Sequence, residues 1–197
     1  MEDSLAAAAV RPLLRGRFGG EYLYVPVCAS TQRLLPPDAP EGAVAVTDHQ
    51  TEGRGRRGGR WEDVPGTSLL LSLVLRPAAE ADRLPELTLV AAESCSDAIK
   101  AVTGLHPQLK DPNDVLVGGR KIAGVLGEAS EGRVVVGIGV NVNQEAGELP
   151  DATRLPATSL RIELGTPVPR PPLLAELLAR LEERYDDWLS GARAAAR

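Results

Sequence analysis

The sequence predicts an α+β domain: a mixed, largely antiparallel sheet with helices packed on one face. Three observations predict it. Short strand-type runs recur through the first 143 residues. The stretch 108–143 reads as a meander of hairpins joined by glycine turns, which makes neighbouring strands antiparallel. Two longer segments repeat apolar residues at three- and four-residue intervals, the spacing of a helix with one buried face.

Taken in order, residues 1–20 are rich in Ala and Arg and predict a short lead-in helix, broken at Gly19-Gly20. EYLYVPV (21–27) alternates as a strand. Ser30-Thr31 then precede QRLL, a helix start with a hydroxyl cap. A proline-rich turn leads to the strand AVAVTD (43–48), and TSLLLSLVL (67–75) is apolar throughout, as a buried strand should be. A helix is expected from Pro85 to Val102, closed by Gly104. QLKDPNDVLV (108–117), a Gly118-Gly119 turn and RKIAGVLGEAS (120–130) form the first hairpin, and RVVVGIGVNVN (133–143) returns beside it. Glycines at 124, 127, 137 and 139 fall inside strands, where they often mark a bulge or close approach of a ligand. TSLRIEL is one weak apolar piece within the polar stretch 144–170. From Pro171 a helix is expected through Leu189, and the end GARAAAR is expected to fray.

The 197 residues suffice for one domain with a substantial core, and 1–197 is read as one unit. A net charge of −5 disfavours broad nucleic-acid binding, so DNA is not an expected partner. Cys28 and Cys95 form no metal-type spacing, and two histidines are too few for a metal cluster, so a reduced cytoplasmic setting is expected. No apolar run approaches the roughly 20 residues that span a bilayer, so no membrane partner is expected.

Against this acidic background, residues 53–60 read GRGRRGGR, four arginines and four glycines. Four guanidinium groups will not be buried without partners, and the glycines deny the segment a stable helix. It is expected to be a mobile surface loop, anchored by the strand before it and by Trp61 after it. It is a solvated charged loop, or one that orders around phosphate or carboxylate, using bidentate arginines and close backbone N–H groups; nucleic-acid binding is a weaker third reading, since the rest of the chain adds no basic stripe or aromatic platform. The spacing fits neither a P-loop nor a dinucleotide fingerprint, and the GxSxG nucleophile motif is absent. In KDPNDVLVGGRKIAGVLGE (110–128), Asn113 and Asp114 stand at a strand start and Lys121 faces Asp114 across a short hairpin. This is either an ordinary ion pair, or a site where Lys121 meets developing negative charge and Asp114 handles a proton.

Five pieces in register carry a resemblance: STQ at 30–32, QxxGRGRRG at 50–58, PNDV at 112–115, RKIAGVLxE at 120–128 and GIGVN at 137–141. Together, from about Tyr22 to Trp188, the chain resembles the catalytic domain of biotin protein ligases. The resemblance implies a fold like that of class II aminoacyl-tRNA synthetases and biotin ligases. It implies ATP-dependent formation of biotinyl-5′-adenylate with magnesium. Biotin then passes to a lysine on the biotin carboxyl-carrier domain of a carboxylase. Lipoate and octanoate transferases share the fold, and a non-catalytic biotin-binding module is the other alternative.

By resemblance, Lys121, Arg54 and Asp114 are the catalytic candidates. Ser30, Thr31, Gln50, Gly53, Arg54, Gly55, Arg56, Lys121 and Gly124 are candidates for biotin. Arg54, Arg56, Arg57, Asn113, Lys121 and Asn141 are candidates for ATP. No protein ligand for the metal is assigned. Homodimerisation through exposed strands is implied as well. No N-terminal helix-turn-helix domain and no C-terminal β-barrel domain are expected. The chain departs from the family at Gln32, where the family favours Asn, and at Asp111, where it usually has tryptophan. An aspartate there puts negative charge beside a polyanionic ligand, so Asp111→Trp is expected to tighten ATP binding. Calorimetric titration checks this, and a loss of affinity would give the aspartate a role of its own.

Overall fold

The computed structural model describes residues 3–78, 81–110, 113–130, 132–150 and 155–195. Seven strands form one sheet: β1 (Tyr22–Cys28), β2 (Val44–Gln50), β3 (Ser68–Leu75), β4 (Gln108–Lys110), β5 (Asp114–Val117), β6 (Arg120–Ser130) and β7 (Arg133–Asn141). Their order is β1-β2-β3-β7-β6-β5-β4. Only β1 and β2 run parallel; every other pair is antiparallel. The helices are α1 (Ala7–Val10), α2 (Glu86–Thr103), α3 (Leu160–Leu164) and α4 (Arg170–Ala195). The mixed, mostly antiparallel sheet agrees with the fold class read from the sequence.

Alternation along the strands assigns the two faces. Leu69, Leu71, Leu73 and Leu75 of β3, with Val134, Val136, Ile138 and Val140 of β7, join the core that includes α2 and α4. Leu87, Ala91, Cys95, Ala98 and Ile99 of α2 meet Leu174, Leu177, Leu178 and Leu181 of α4 there. Ala45, Val74 and Val135 point the opposite way and pack with Leu35 and Ala39 in a second, smaller cluster. Beyond that cluster, the second face is open for a site.

Several local features differ from the sequence reading. The stretch 108–117 holds two strands: β5 begins at Asp114, where a strand start was expected, and β4 before it pairs back antiparallel with Lys110 opposite Asp114. Ser30-Thr31 start one turn of 3-10 helix over Thr31–Arg33, and the Ser30 hydroxyl caps nothing. TSLRIEL forms the short α3, capped by Ser159 and closed by Gly165 in the left-handed conformation. The last helix runs through Ala195, where fraying was expected. Gly104 does close α2, with φ of 73° and its N–H on the Lys100 carbonyl. Asp111 and Pro112 lie outside the described residues.

The first residue of α4 ties the helix to the sheet. Arg170 is 4% exposed, pairs with Asp3 and Asp48 at 2.8 Å each, and donates to the Ser68 carbonyl. Asp48 also accepts from the Tyr24 hydroxyl, which pushes that phenol up to about 12. Removing the cation takes charged donors from the partly exposed carboxylates of Asp3 and Asp48 and from the Ser68 carbonyl. Arg170→Ala is therefore expected to cost about 1.5–3 kcal/mol of folding stability, the scale of hydrogen bonds to charged groups, measured by urea unfolding. A loss within experimental error would show that the network contributes no net stability.

Candidate active site

The GRGRRGGR segment is folded back on itself. Arg54 and Arg60 form an antiparallel bridge, Gly55 N–H donates to Gly59 O at 2.8 Å, and Trp61 N–H donates to Gly53 O at 3.1 Å. A mobile surface loop was expected. The glycines that forbid a helix permit this tight hairpin, and Gly53 admits no side chain because a Cβ would lie 2.3 Å from the Trp61 carbonyl. Arg57 holds the tip at φ of 55°, a left-handed conformation that costs a non-glycine residue roughly 1–2 kcal/mol.

Trp61 then lies flat on the open face of the sheet. A Cβ on Gly139 would sit 2.6 Å from its indole, and one on Gly124 would sit 3.1 Å from it. These glycines pair across β6 and β7, so together they clear a bare patch of backbone for the ring. Asp63 secures the chain beyond: its buried carboxylate accepts from Gln50 N–H and contacts His49 Nδ1 at 2.8 Å.

Trp61 separates two clefts. The first encloses about 490 Å³ of open space between the hairpin, the turn at Ser30–Gln32 and the floor formed by Gly124, Leu126, Gly137 and Gly139. The second encloses about 590 Å³ and is lined by Glu62, Asp114, Asn141, Pro150, Leu155 and Ala157. Among the described residues, Trp61 and Lys121 line both clefts.

Lys121 reaches this boundary because of a bulge. β5 pairs Val115 with Ala123 but Leu116 with Lys121, leaving Ile122 as an extra residue. Ile122 and Ala123 therefore both enter the helix-side core, while Lys121 emerges on the same side as Gly124. Its backbone is clamped by Pro156 and Thr158. Its ammonium lies 2.7 Å from Asp114 Oδ1, a close ion pair without hydrogen-bond alignment, and 5.7 Å from the centre of the Trp61 ring.

At the closed end of the first cleft, Gln50 Oε1 accepts from Thr31 N–H at 2.9 Å and from the Thr31 hydroxyl at 3.2 Å. That hydroxyl also meets Ser72 at 2.7 Å. Ser30 is buried beside them, and the Gln50 amide nitrogen has no protein acceptor among the described residues. Gln32 covers Gly137 and donates to the Leu126 carbonyl. Arg56 donates to Asn113 Oδ1 at 3.1 Å, while Asn113 donates to the Val125 carbonyl. Arg54 is held by Glu128 through both Nη atoms, at 2.8 and 3.0 Å. Neither thiol is a ready nucleophile: burial pushes Cys28 up, and complete burial pushes Cys95 up to about 12.

The profile of the Biotin/lipoate A/B protein ligase family matches residues 24–145. The chain belongs to this family. It is 37% identical over 196 residues to the bifunctional ligase/repressor BirA of Bacillus spizizenii, covering 94% of this chain and 60% of that protein. It is 36% identical over 154 residues to the biotin–[acetyl-CoA-carboxylase] ligase of Mycobacterium tuberculosis, covering 75% and 56% respectively. Thus the chain spans 60% or less of these two relatives' lengths. A solved structure of the biotin protein ligase from Aquifex aeolicus in complex with biotin and ATP superposes with a TM-score of 0.78 at 34% identity, over 86% of this chain and 72% of that one.

Within this family member, Ser30, Thr31, Gln50, Arg54, Gly55, Arg56, Asn113, Lys121 and Gly124 gather around the first cleft. Asp114 and Asn141 line the second, and the Asn141 amide donates to the Thr158 carbonyl. Gly53 shapes the hairpin, while Arg57 is exposed at its tip and lines neither cleft. Sequence reasoning did not assign Trp61, Gln32, Ser72, Glu128, Gly137 or Gly139 to the site. The signal for Glu128, Gly137 and Gly139 was the period of two that places residues 124, 126 and 128 on the same side as 137 and 139.

If bare backbone is what seats the indole, a methyl group at 139 must displace it. In a Trp188→Phe background, Gly139→Ala is expected to shift Trp61 fluorescence to longer wavelength. Unchanged emission would show that the ring does not depend on this contact.

Proposed function

We propose that the chain carries the catalytic unit of an ATP-dependent biotin protein ligase. The observation that carries this reading is the placement of Lys121 where the two clefts meet. A carboxylate in the first cleft and an α-phosphate in the second would both reach one ammonium.

The polar closed end of the first cleft suits a ureido ring. The free Gln50 amide donates to its oxygen, and the Thr31–Ser72 hydroxyls and Ser30 serve its N–H groups. A dithiolane ring offers no acceptor to the Gln50 amide nitrogen and no N–H to the hydroxyls, so biotin fits better than lipoate. Trp61 gives the second cleft an aromatic wall for the nucleotide base. Arg56, whose described partner is the neutral Asn113, brings positive charge to the carboxylate and phosphates, with Asn113 setting its position. Asn141 forms part of the nucleotide wall.

In the first step the biotin carboxylate attacks the α-phosphorus and pyrophosphate leaves. Lys121 neutralises the charge gathering between the two anions. Once Lys121 turns toward the ligands, Asp114 is released to orient the incoming lysine of a biotin carboxyl-carrier domain and take its proton. That amine attacks the acyl carbon, and AMP leaves.

The described residues contain no group of three or more His, Cys, Asp or Glu fit to cage a metal. Glu62 and Asp114 are the carboxylates lining the second cleft, which suits a hydrated magnesium held chiefly by ATP phosphates. Magnesium would supply further charge neutralisation there.

A homodimer belongs to the same reading: β1 is an open sheet edge exposing Leu23 and Val27. Two unpaired thiols agree with a cytoplasmic setting, and no described helix is long and apolar enough to cross a membrane. We also propose that residues 1–197 act as a single catalytic domain.

Lys121→Ala is expected to lower biotin-dependent ATP–pyrophosphate exchange by at least about a hundredfold, on the scale of losing one preorganised donor, with unchanged thermal unfolding. Normal exchange in that variant would remove Lys121 from the chemistry. Exchange absent from the parent while biotin still binds would instead indicate a binding module. Stabilisation by lipoate but not biotin would redirect the reading to the lipoate branch.

A further inference from the structure

The two leading arginines of the hairpin are in different electrostatic situations. Arg54 presents both terminal nitrogens to both oxygens of one carboxylate, Glu128, at 2.8 and 3.0 Å. Among the described residues, Arg56 has one hydrogen-bond acceptor, the neutral Asn113 Oδ1. Among those residues the charge of Arg54 is therefore matched by a carboxylate, while that of Arg56 is not.

Glu128 stands on the cleft side of β6, in the same row as Gly124 and Leu126. It is seven residues from Lys121, with one residue taken up by the bulge, so the two backbones lie roughly 20 Å apart at the usual rise of a strand. The guanidinium that Glu128 holds is thus drawn toward the end of β6 opposite the reaction centre. The pair also joins the start of the hairpin to the sheet, on the far side of the cleft from Trp61. A fork-to-fork contact fixes a plane as well as a distance, which a lysine or a single hydrogen bond would not do.

We propose that Glu128 and Arg54 form a positioning pair that fastens the arginine hairpin over the first cleft, and that of the two arginines lining that cleft it is Arg56 whose charge acts on the bound anion. This refines the ligase reading and rests on it, with Arg54 moved from the chemistry to the architecture. Releasing one partner would let the hairpin lift from the sheet before ligand arrives, weakening biotin binding more than turnover at saturation.

Exchanging the two charges tests the pair, because an anchor works in either direction and a ligand-binding arginine does not. Arg54→Glu and Glu128→Arg each place like charges in contact. Each single variant is expected to speed tryptic cleavage within 56–60 in the unliganded protein and to raise the biotin Kd, both by about fivefold or more, the upper end for a partly exposed pair. The double variant Arg54→Glu/Glu128→Arg is expected to return both quantities to within about twofold of the parent, since contacting residues are coupled. Arg56→Gln is expected to lower saturated pyrophosphate exchange without changing cleavage after Arg57 and Arg60, the trypsin sites that this variant keeps.

The proposal is overturned if the double variant is no better than Arg54→Glu alone. It is also overturned if Glu128→Arg matches the parent in both measurements. A parent that neither binds biotin nor exchanges pyrophosphate would remove the ligase reading, while the cleavage measurements would still decide whether the pair fastens the hairpin.

Discussion

One surplus residue in β6 decides which side of the sheet carries the ammonium. Lys121 and Gly124 are three positions apart, and in a regular strand an odd separation puts side chains on opposite faces. Without the bulge at Ile122, Lys121 would point into a layer of leucine and valine, where an unpaired charge is not tolerated. With it, two successive apolar residues enter the core and the lysine emerges over the clefts. The rest of the site assumes that choice. The glycines of β6 and β7 expose backbone on that face, Trp61 lies against them, and the hairpin preceding Trp61 is thereby brought over the same ground.

An acidic chain that concentrates arginine in one hairpin must decide what those charges meet before any ligand arrives. Arg33 pairs with Glu52, Arg54 with Glu128, Lys121 with Asp114 and Arg120 with Glu163. These are partly exposed pairs, each worth about 1 kcal/mol or less. A carboxylate or phosphate entering a cleft walled by protein meets a lower effective dielectric and interacts more strongly. For Lys121, exchange of Asp114 for a ligand anion would therefore be favourable, and the ammonium is kept oriented until it happens. The pair of Arg54 with Glu128 would instead persist and hold the hairpin in place.

Much of the fold was legible because core strands and helices repeat short apolar periods. β3 and both long helices are continuous apolar patterns, and Gly104 marks the end of α2 by chemistry alone. The site was legible as motifs but not as geometry. GRGRRGGR reads as a mobile surface loop until Gly53 is placed against the Trp61 carbonyl, a contact between residues eight apart that no propensity encodes. The start of β5 was legible from Pro112, but the pairing of Gln108–Lys110 back onto it was not. Arg170 was invisible for a different reason: its partners Asp3 and Asp48 lie more than a hundred residues away, and a lone arginine before PP reads as a helix start. Glu128 sat at the end of a quoted motif, but its partner could be found only by folding the hairpin over β6.

The position of Trp61 bears on why two ligands should react here at all. A wall between two clefts keeps their occupants apart, and a reaction between them requires one point where the wall does not separate them. Lys121 lies at that point, under the edge of the ring, with its backbone fixed on both sides by Pro156 and Thr158 and its side chain steadied by Asp114. In the proposed reaction, holding a carboxylate and a phosphate against one ammonium removes much of the translational and rotational cost of bringing two anions together. The same ion pair would order the two steps: Asp114 cannot serve an incoming amine while it holds Lys121, and it is freed only when anions have drawn the lysine away. On this view the resting pair is what makes capture of the acceptor lysine wait for the adenylate.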